Sequence, residues 1–144
     1  MSAAVIDASV WVSRLVSADV NHQVSRLWLQ ASAASGDQFV CPTIVLAEIA
    51  GAISRRTRDA HSANEAVNTI TRIPTLRLVT LDRRLAQVAA RLAADHALRG
   101  ADAVYAAVAS ELELPLITFD DEQLKRTQGL ITALSPPRRY ESSK

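Results

Sequence analysis

Ala3-Ala4-Val5-Ile6-Asp7 is the stretch on which the reading of this chain turns: four apolar residues that end on a carboxylate. A run so short and so uniformly apolar suits a strand covered on both faces, the habit of a central strand in a parallel sheet. The same figure returns late in the sequence, where Pro115-Leu116-Ile117-Thr118-Phe119 closes on Asp120. Phe39 to Pro42, Leu76 to Leu81 and Leu130 to Leu134 read as three more strands, which makes about five in all.

The segments between them carry helical patterning. Helices are expected from about Ser9 to Val16 and from Asn21 to Ser32, with Val24, Leu27, Trp28 and Ala31 at helical spacing. Thr43 can cap a helix that ends near Thr57 among Arg55, Arg56 and Arg58, where basic residues suit the helix dipole. A helix from Ser62 to Ile73 stops before Pro74. Asp82 can cap another that reaches His96, with Leu85, Val88, Ala89 and Leu92 on one face, and Arg99-Gly100 separates it from a helix over 101–112. Short apolar strands alternating with helices define an α/β domain with a parallel sheet. No repeat or linker interrupts it, so residues 1–135 are expected to form one domain and residues 136–144, Pro136-Pro137-Arg138-Arg139-Tyr140 to Lys144, a polar tail.

Composition agrees. The chain has 144 residues, enough for one core, with 49% hydrophobic and 22% charged residues. Aromatics are only 4%, so Ala, Val, Leu and Ile must fill the interior. A net charge of +1 makes the whole molecule no magnet for polyanions, and any such binding must come from local basic patches. The single cysteine, Cys41, excludes an internal disulfide and reads as a small buried hydrophobe in a reducing setting. The N-terminus lacks a basic leader and no stretch is long enough to span a membrane, so a cytoplasmic location is expected.

Four acids stand in apolar surroundings: Asp7, Glu48 within Ile44-Val45-Leu46-Ala47-Glu48-Ile49-Ala50, Asp102 at the start of Ala101-Asp102-Ala103-Val104-Tyr105, and Asp120. Each has an ordinary reading. Asp7 and Asp120 can cap the helices that follow, and Asp102 can complement a helix dipole. Glu48 resists such a reading, because its helical neighbours Ile44, Val45, Gly51 and Ala52 are apolar or small. In open parallel sheets ligands gather at the C-terminal ends of the strands, and all four acids can face that edge. Four carboxylates packed together repel unless a cation joins them, and an oxygen-only set suits Mg²⁺, with Mn²⁺ as substitute. Such an ion stabilises charge on a phosphate under attack, which points to a metal-dependent hydrolase of phosphodiesters. Ser9 and Thr118, each two residues from an acid, can act as supporting hydroxyls. Arg55, Arg56, Arg58, Arg83, Arg84 and Arg99 are candidates for phosphate contact against their ordinary role as solvated charges. His22, His61 and His96 show no ligand spacing.

The motifs Val5-Ile6-Asp7-Ala8-Ser9-Val10-Trp11, Pro42-Thr43-Ile44-Val45-Leu46-Ala47-Glu48-Ile49, Leu98-Arg99-Gly100-Ala101-Asp102-Ala103-Val104-Tyr105-Ala106-Ala107 and Leu116-Ile117-Thr118-Phe119-Asp120 occur in this order over the chain to about residue 134. In these motifs the chain resembles PIN-domain ribonucleases, specifically VapC-type toxins of type II toxin–antitoxin modules. The resemblance implies a three-layer α/β/α sandwich and Mg²⁺- or Mn²⁺-dependent endoribonuclease activity. It also implies a homodimer and inhibition by a cognate antitoxin protein. By it Asp7, Glu48, Asp102 and Asp120 form the catalytic, metal-binding quartet, with Asp121 able to share the fourth role. It further implies an antitoxin segment that covers the region of Trp11 and Trp28 and directs a basic side chain at the acids; the other reading of both tryptophans is core packing.

Two other functions compete. A metal-dependent phosphatase or phosphotransfer domain uses a similar sheet, but the receiver type needs paired acids after the first strand, and the haloacid-dehalogenase type needs an Asp where Ser9 stands. A non-catalytic RNA-binding module would bind RNA without cutting it.

Overall fold

In the computed structural model, which describes residues 2–137, twelve elements alternate as the pattern requires. They are β1 (Ala3–Ile6), α1 (Ala8–Leu15), α2 (His22–Ala34), β2 (Gln38–Pro42), α3 (Val45–Thr57), α4 (Ala60–Thr71), β3 (Leu76–Val79), α5 (Arg83–His96), α6 (Gly100–Leu112), β4 (Leu116–Ile117), α7 (Asp121–Arg126) and β5 (Ala133–Leu134). The five strands form one all-parallel sheet in the order β3-β2-β1-β4-β5. The first strand in sequence is thus the middle strand in space. Val5 faces Val40 of β2 on one side and Leu116 of β4 on the other. It is fully buried, as the AAVI run predicted.

Parallel neighbours need crossover helices, and right-handed crossovers send them to opposite faces when the chain reverses direction across the sheet. Accordingly α1 to α4 pack on one another, while α5 pairs with α6 and α6 lies across β1, β2 and β4. The result is a three-layer α/β/α sandwich. Residues 103 to 109 of α6 are buried all round, which explains the near absence of polar residues there. Its alanines bring the helix axis close to the sheet, and Tyr105 is the one large polar-tipped side chain buried among them.

Several expectations shift in detail. Thr43 does not cap α3; its Oγ1 accepts from Leu81 N–H at 3.2 Å and ties β2's exit to the loop after β3, while Ile44 occupies the cap position. Strands β3, β4 and β5 are shorter than their apolar runs, because the ladder ends where the flanking residues turn into loops. Asp120 caps α7 through Gln123 N–H at 3.0 Å, the capping role open to it from sequence. Between α5 and α6 the reversal is made by Ala97 in the left-handed region (φ 53°), and Gly100 is already helical. Trp11 is buried, donates its indole N–H to Cys41 Sγ at 3.2 Å and stacks edge-on against Phe39. Trp28 packs on the same ring, so both tryptophans are core residues. Burial pushes the Cys41 thiol up to about 12, so it is a packing residue rather than a nucleophile. The tail from residue 138 onward lies outside the described residues.

Candidate active site

The strand order reverses at β1, so the two chain segments that leave β1 and β4 diverge and open a crevice at the sheet's C-terminal edge. A cleft of about 540 Å³ lies there, lined by Asp7, Ser9, Glu48, Asp102 and Asp120 and, further out, by Arg55, Arg56 and Arg99. The four acids that looked misplaced in the sequence share this one wall, although they come from four separate segments.

Asp7 sits deepest. Its backbone N–H donates to Ile117 C=O at 2.9 Å, so the β1–β4 ladder fixes its position. Its Oδ2 accepts from Ser9 N–H at 3.0 Å and from Thr118 Oγ1 at 3.2 Å. Ser9 Oγ in turn accepts from Phe119 N–H at 3.1 Å, and Thr118 Oγ1 accepts from Asp120 N–H at 3.0 Å. The two hydroxyls therefore stitch the ends of β1 and β4 together and hold two of the acids at once. Capping and site geometry coexist here: Asp7 and Asp120 each cap a helix and face the cleft.

Glu48, in the first turn of α3, reaches the same cleft, where its Oε1 accepts from the Tyr105 hydroxyl at 2.7 Å. Tyr105 was not singled out from sequence; the signal was a lone phenol in an otherwise aliphatic helix. Asp102, in the first turn of α6, and Asp120 both turn to Arg99. Arg99 Nε donates to Asp102 Oδ2 at 3.0 Å, and its Nη2 donates to Asp120 Oδ2. Asp121 points elsewhere and lines a different cavity, so Asp120 alone stands at the fourth position. Gln123, also unanticipated, is fully buried behind the cleft and its Nε2 approaches the Asp102 carbonyl at 3.4 Å.

The electrostatics reflect burial first and the neighbouring acids second. Burial raises the Asp7 carboxyl above its ordinary value against the pull of Ser9 and Thr118. Burial likewise raises Glu48, with the charges of Asp7 and Asp102 adding to it, and raises Asp102 against the pull of Arg99. An oxygen-only donor set with excess negative charge fits a hard divalent cation and offers nothing to a soft one. As the side chains stand, among the described residues no three His, Cys, Asp or Glu groups are close enough to clasp one ion. Two of the acids are turned to Arg99 and a third to Tyr105.

The other arginines separate by location. Arg58, Arg83 and Arg84 do not line the cleft, and Arg84 pairs with Glu111 at 2.5 Å. Arg56 lines it but is paired with Asp19 at 2.6 Å. Arg55 shares a face of α3 with Glu48 and Ala52 and forms no ion pair among the described residues. Its Nη1 lies 3.1 Å from where a Cβ on Gly51 would stand, so the glycine makes room for the guanidinium to fold back along the helix. No histidine lines the cleft; His22 is bonded to Ser13 C=O at 3.0 Å. No helix among the described residues is long and apolar enough to cross a membrane.

Comparison with known proteins agrees with this architecture. The family model of the PIN domain matches residues 4–130. No curated protein matches the chain in sequence. Among solved structures, the chain is similar to VapC20 of Mycobacterium tuberculosis, described as a sarcin-ricin loop cleaving toxin. Identity is 18%, the match covers 84% of this chain and 92% of that one, and the TM-score is 0.73. It is also similar to DNA-bound VapBC of Salmonella typhimurium at 15% identity, with coverage of 95% and 100% and a TM-score of 0.72. VapBC2 of Rickettsia felis, bound to a promoter DNA fragment, matches at 14% identity, with coverage of 94% and 98% and a TM-score of 0.70. At these identities the likeness is one of fold.

Proposed function

This chain belongs to the PIN-domain family, and from that premise we infer that it is a divalent-metal-dependent endoribonuclease that acts as the toxin of a toxin–antitoxin pair. The observation that carries the inference is the convergence of Asp7, Glu48, Asp102 and Asp120 on one cleft at the switch point of the sheet. Stability alone gives no reason to gather four carboxylates, three of them forced upward in pKa by burial. A catalytic site does.

In this reading all four acids hold Mg²⁺, with Mn²⁺ as substitute. When bound, the ion would supply charge stabilisation for the attacked phosphodiester and a more acidic water. The chain's own residues do the rest. Ser9 and Thr118 fix Asp7 and the Asp120 backbone, so that the innermost oxygens keep one orientation. The Tyr105 hydroxyl holds Glu48 by one oxygen and leaves its other to the cleft. A carboxylate with a raised pKa is suited to take a proton from the attacking water. Arg55 is placed to meet a phosphate of the RNA strand at the outer end of the cleft, about 10 Å along α3 from Glu48 at 1.5 Å per residue. Arg56 and Arg99 are further contacts.

The likeness to VapC20, described as a sarcin-ricin loop cleaving toxin, and to the two VapBC structures supports an RNA substrate and a cognate antitoxin protein as partner. A homodimer, a cytoplasmic location and a nuclease unit over residues 1–135 with a separate tail complete the proposal. The test is incubation of total cellular RNA with purified, antitoxin-free protein in Mg²⁺, in Mn²⁺ and in EDTA, beside Asp7→Asn. Discrete fragments that need metal and vanish in the variant are expected. Release of phosphate from small phosphoesters with RNA untouched would support a phosphatase instead, and RNA binding without cleavage a binding module.

A further inference from the structure

We propose that Arg99 is an internal competitor for the cation: its guanidinium bridges Asp102 and Asp120 through their Oδ2 atoms and has to swing out before all four carboxylates can close on one divalent ion. This rests on the metal site proposed above. Three observations carry it.

The first is which oxygens are spoken for. Hydrogen bonds use one oxygen of Asp7, one of Glu48 and one of Asp102, but both of Asp120. Asp120 Oδ1 takes the Gln123 N–H that starts α7, and Oδ2 takes Arg99. The first cannot be surrendered without uncapping the helix. The second is therefore the oxygen an ion must win, and Arg99 is what it must win it from. The second observation is the arrangement of the acids: they line one cleft, yet no three stand close enough to clasp an ion while two of them face the guanidinium. The third is that Arg99 is poorly anchored otherwise. Its side chain is 70% exposed, against 14% for Asp102 and 27% for Asp120, and it makes no cap bond. It also stands at the N-terminus of α6, the positive end of the helix dipole, where a cation is unfavourable. Among the described residues only the two acids hold it there. An ion of higher charge that takes those oxygens frees a planar five-donor cation at the cleft mouth, where a phosphate would meet it.

The measurement is a titration of the purified full chain with Mn²⁺ alone, reading unbound Mn²⁺ by its paramagnetic resonance signal, for the wild type, Arg99→Gln, Arg99→Lys and Asp7→Asn. Because the Arg99 side chain is exposed and caps nothing, both Arg99 variants keep the fold. Arg99→Gln should bind Mn²⁺ roughly five- to tenfold more tightly, the loss of two solvent-facing ion pairs expressed as a ratio of dissociation constants. Arg99→Lys should bind about twofold more tightly or better, since it keeps the charge but not the fork that spans two carboxylates. Asp7→Asn should lose the tight site, which places the ion in this cleft. Equal affinities in wild type and both Arg99 variants would overturn the proposal. So would a gain in Arg99→Gln with none in Arg99→Lys, which is charge acting at a distance, and so would weaker binding, which makes Arg99 an orienting partner of the ligands. Absence of binding in every protein would remove the metal site itself, and the competitor with it.

Discussion

Asp7 and Asp120 end neighbouring strands of one sheet, cap the helices that follow and face one cleft, yet they are held by different kinds of partner. Asp7, with Glu48, forms an inner pair whose polar contacts are neutral donors: the hydroxyls of the buried Thr118 and Tyr105, and the Ser9 amide. Asp102 and Asp120 form an outer pair held by one exposed guanidinium. Neutral hydroxyls orient a carboxylate without cancelling its charge, so the inner pair keeps both its geometry and its appetite for a cation. A guanidinium cancels the charge and moves away when something better arrives. One half of the site is built as a fixed template and the other half as an adjustable clasp.

That contrast can be broken by experiment. The largest effect is expected at the template: Asp7→Asn should lower metal-dependent RNA cleavage by roughly a hundredfold or more, beyond the 10- to 100-fold typical of outer partners of a metal. Asn retains the α1 cap, so in EDTA the same variant should melt higher than the wild type, by about 1 kcal/mol in stability. A lower melting temperature would mean that Asp7 serves the fold first. Next comes Thr118→Val, a change of similar volume that removes the bonds to Asp7 and from Asp120 N–H. It should reduce cleavage by roughly tenfold at saturating metal, and cleavage equal to the wild type would show that the hydroxyl clamp does not orient the acids.

A smaller effect concerns pH. The carboxyls of Asp7, Glu48 and Asp102 are raised, so the folded chain holds their protons more tightly than the unfolded one. Their contribution to stability is then full below the ordinary carboxyl range of about 4 and is lost as pH rises through the raised values. In EDTA the chain should therefore melt at a higher temperature near pH 5 than near pH 7.5, and Mg²⁺ should remove the difference. A melting temperature that rises with pH in EDTA would contradict the burial that raises these three carboxyls. Smallest of all, Arg55→Gln should flatten the salt dependence of single-stranded RNA binding by about 0.7 in the logarithmic slope, the value for one phosphate contact. This is best read in an Asp7→Asn background, where the RNA stays intact.

Much of this architecture could be read beforehand for a plain reason. The apolar runs of β1 and β4 are short, uniform and closed by acids, and a strand buried on both faces leaves no other pattern. Asp7, Glu48, Asp102 and Asp120 stood out because each violates the apolar patterning around it. Tyr105 and Gln123 did not, because a phenol or an amide in a buried helix looks like packing until its partner across the fold is known. Arg99 was legible as a cation near the acids but not as their bridge, since its reach to Asp120 spans 21 positions and depends on the angle at which α6 meets β4. The extent of α7 beyond its Asp120 cap was not legible, because its sequence is polar along most of its length and only Gln123 turns fully inward.

The placement of β1 has a bearing on how such a molecule is made. The strand at the centre of the sheet is synthesised before the other four, while Thr118, which clamps Asp7, lies 111 positions after that acid. A chain still being synthesised carries Asp7 and Glu48 long before it carries the other two acids or the strand that brings them near. On the proposed reading, cutting power is absent until α6 and β4 have folded back against β1. On that reading, a nascent chain that lacks β4 cannot cut RNA.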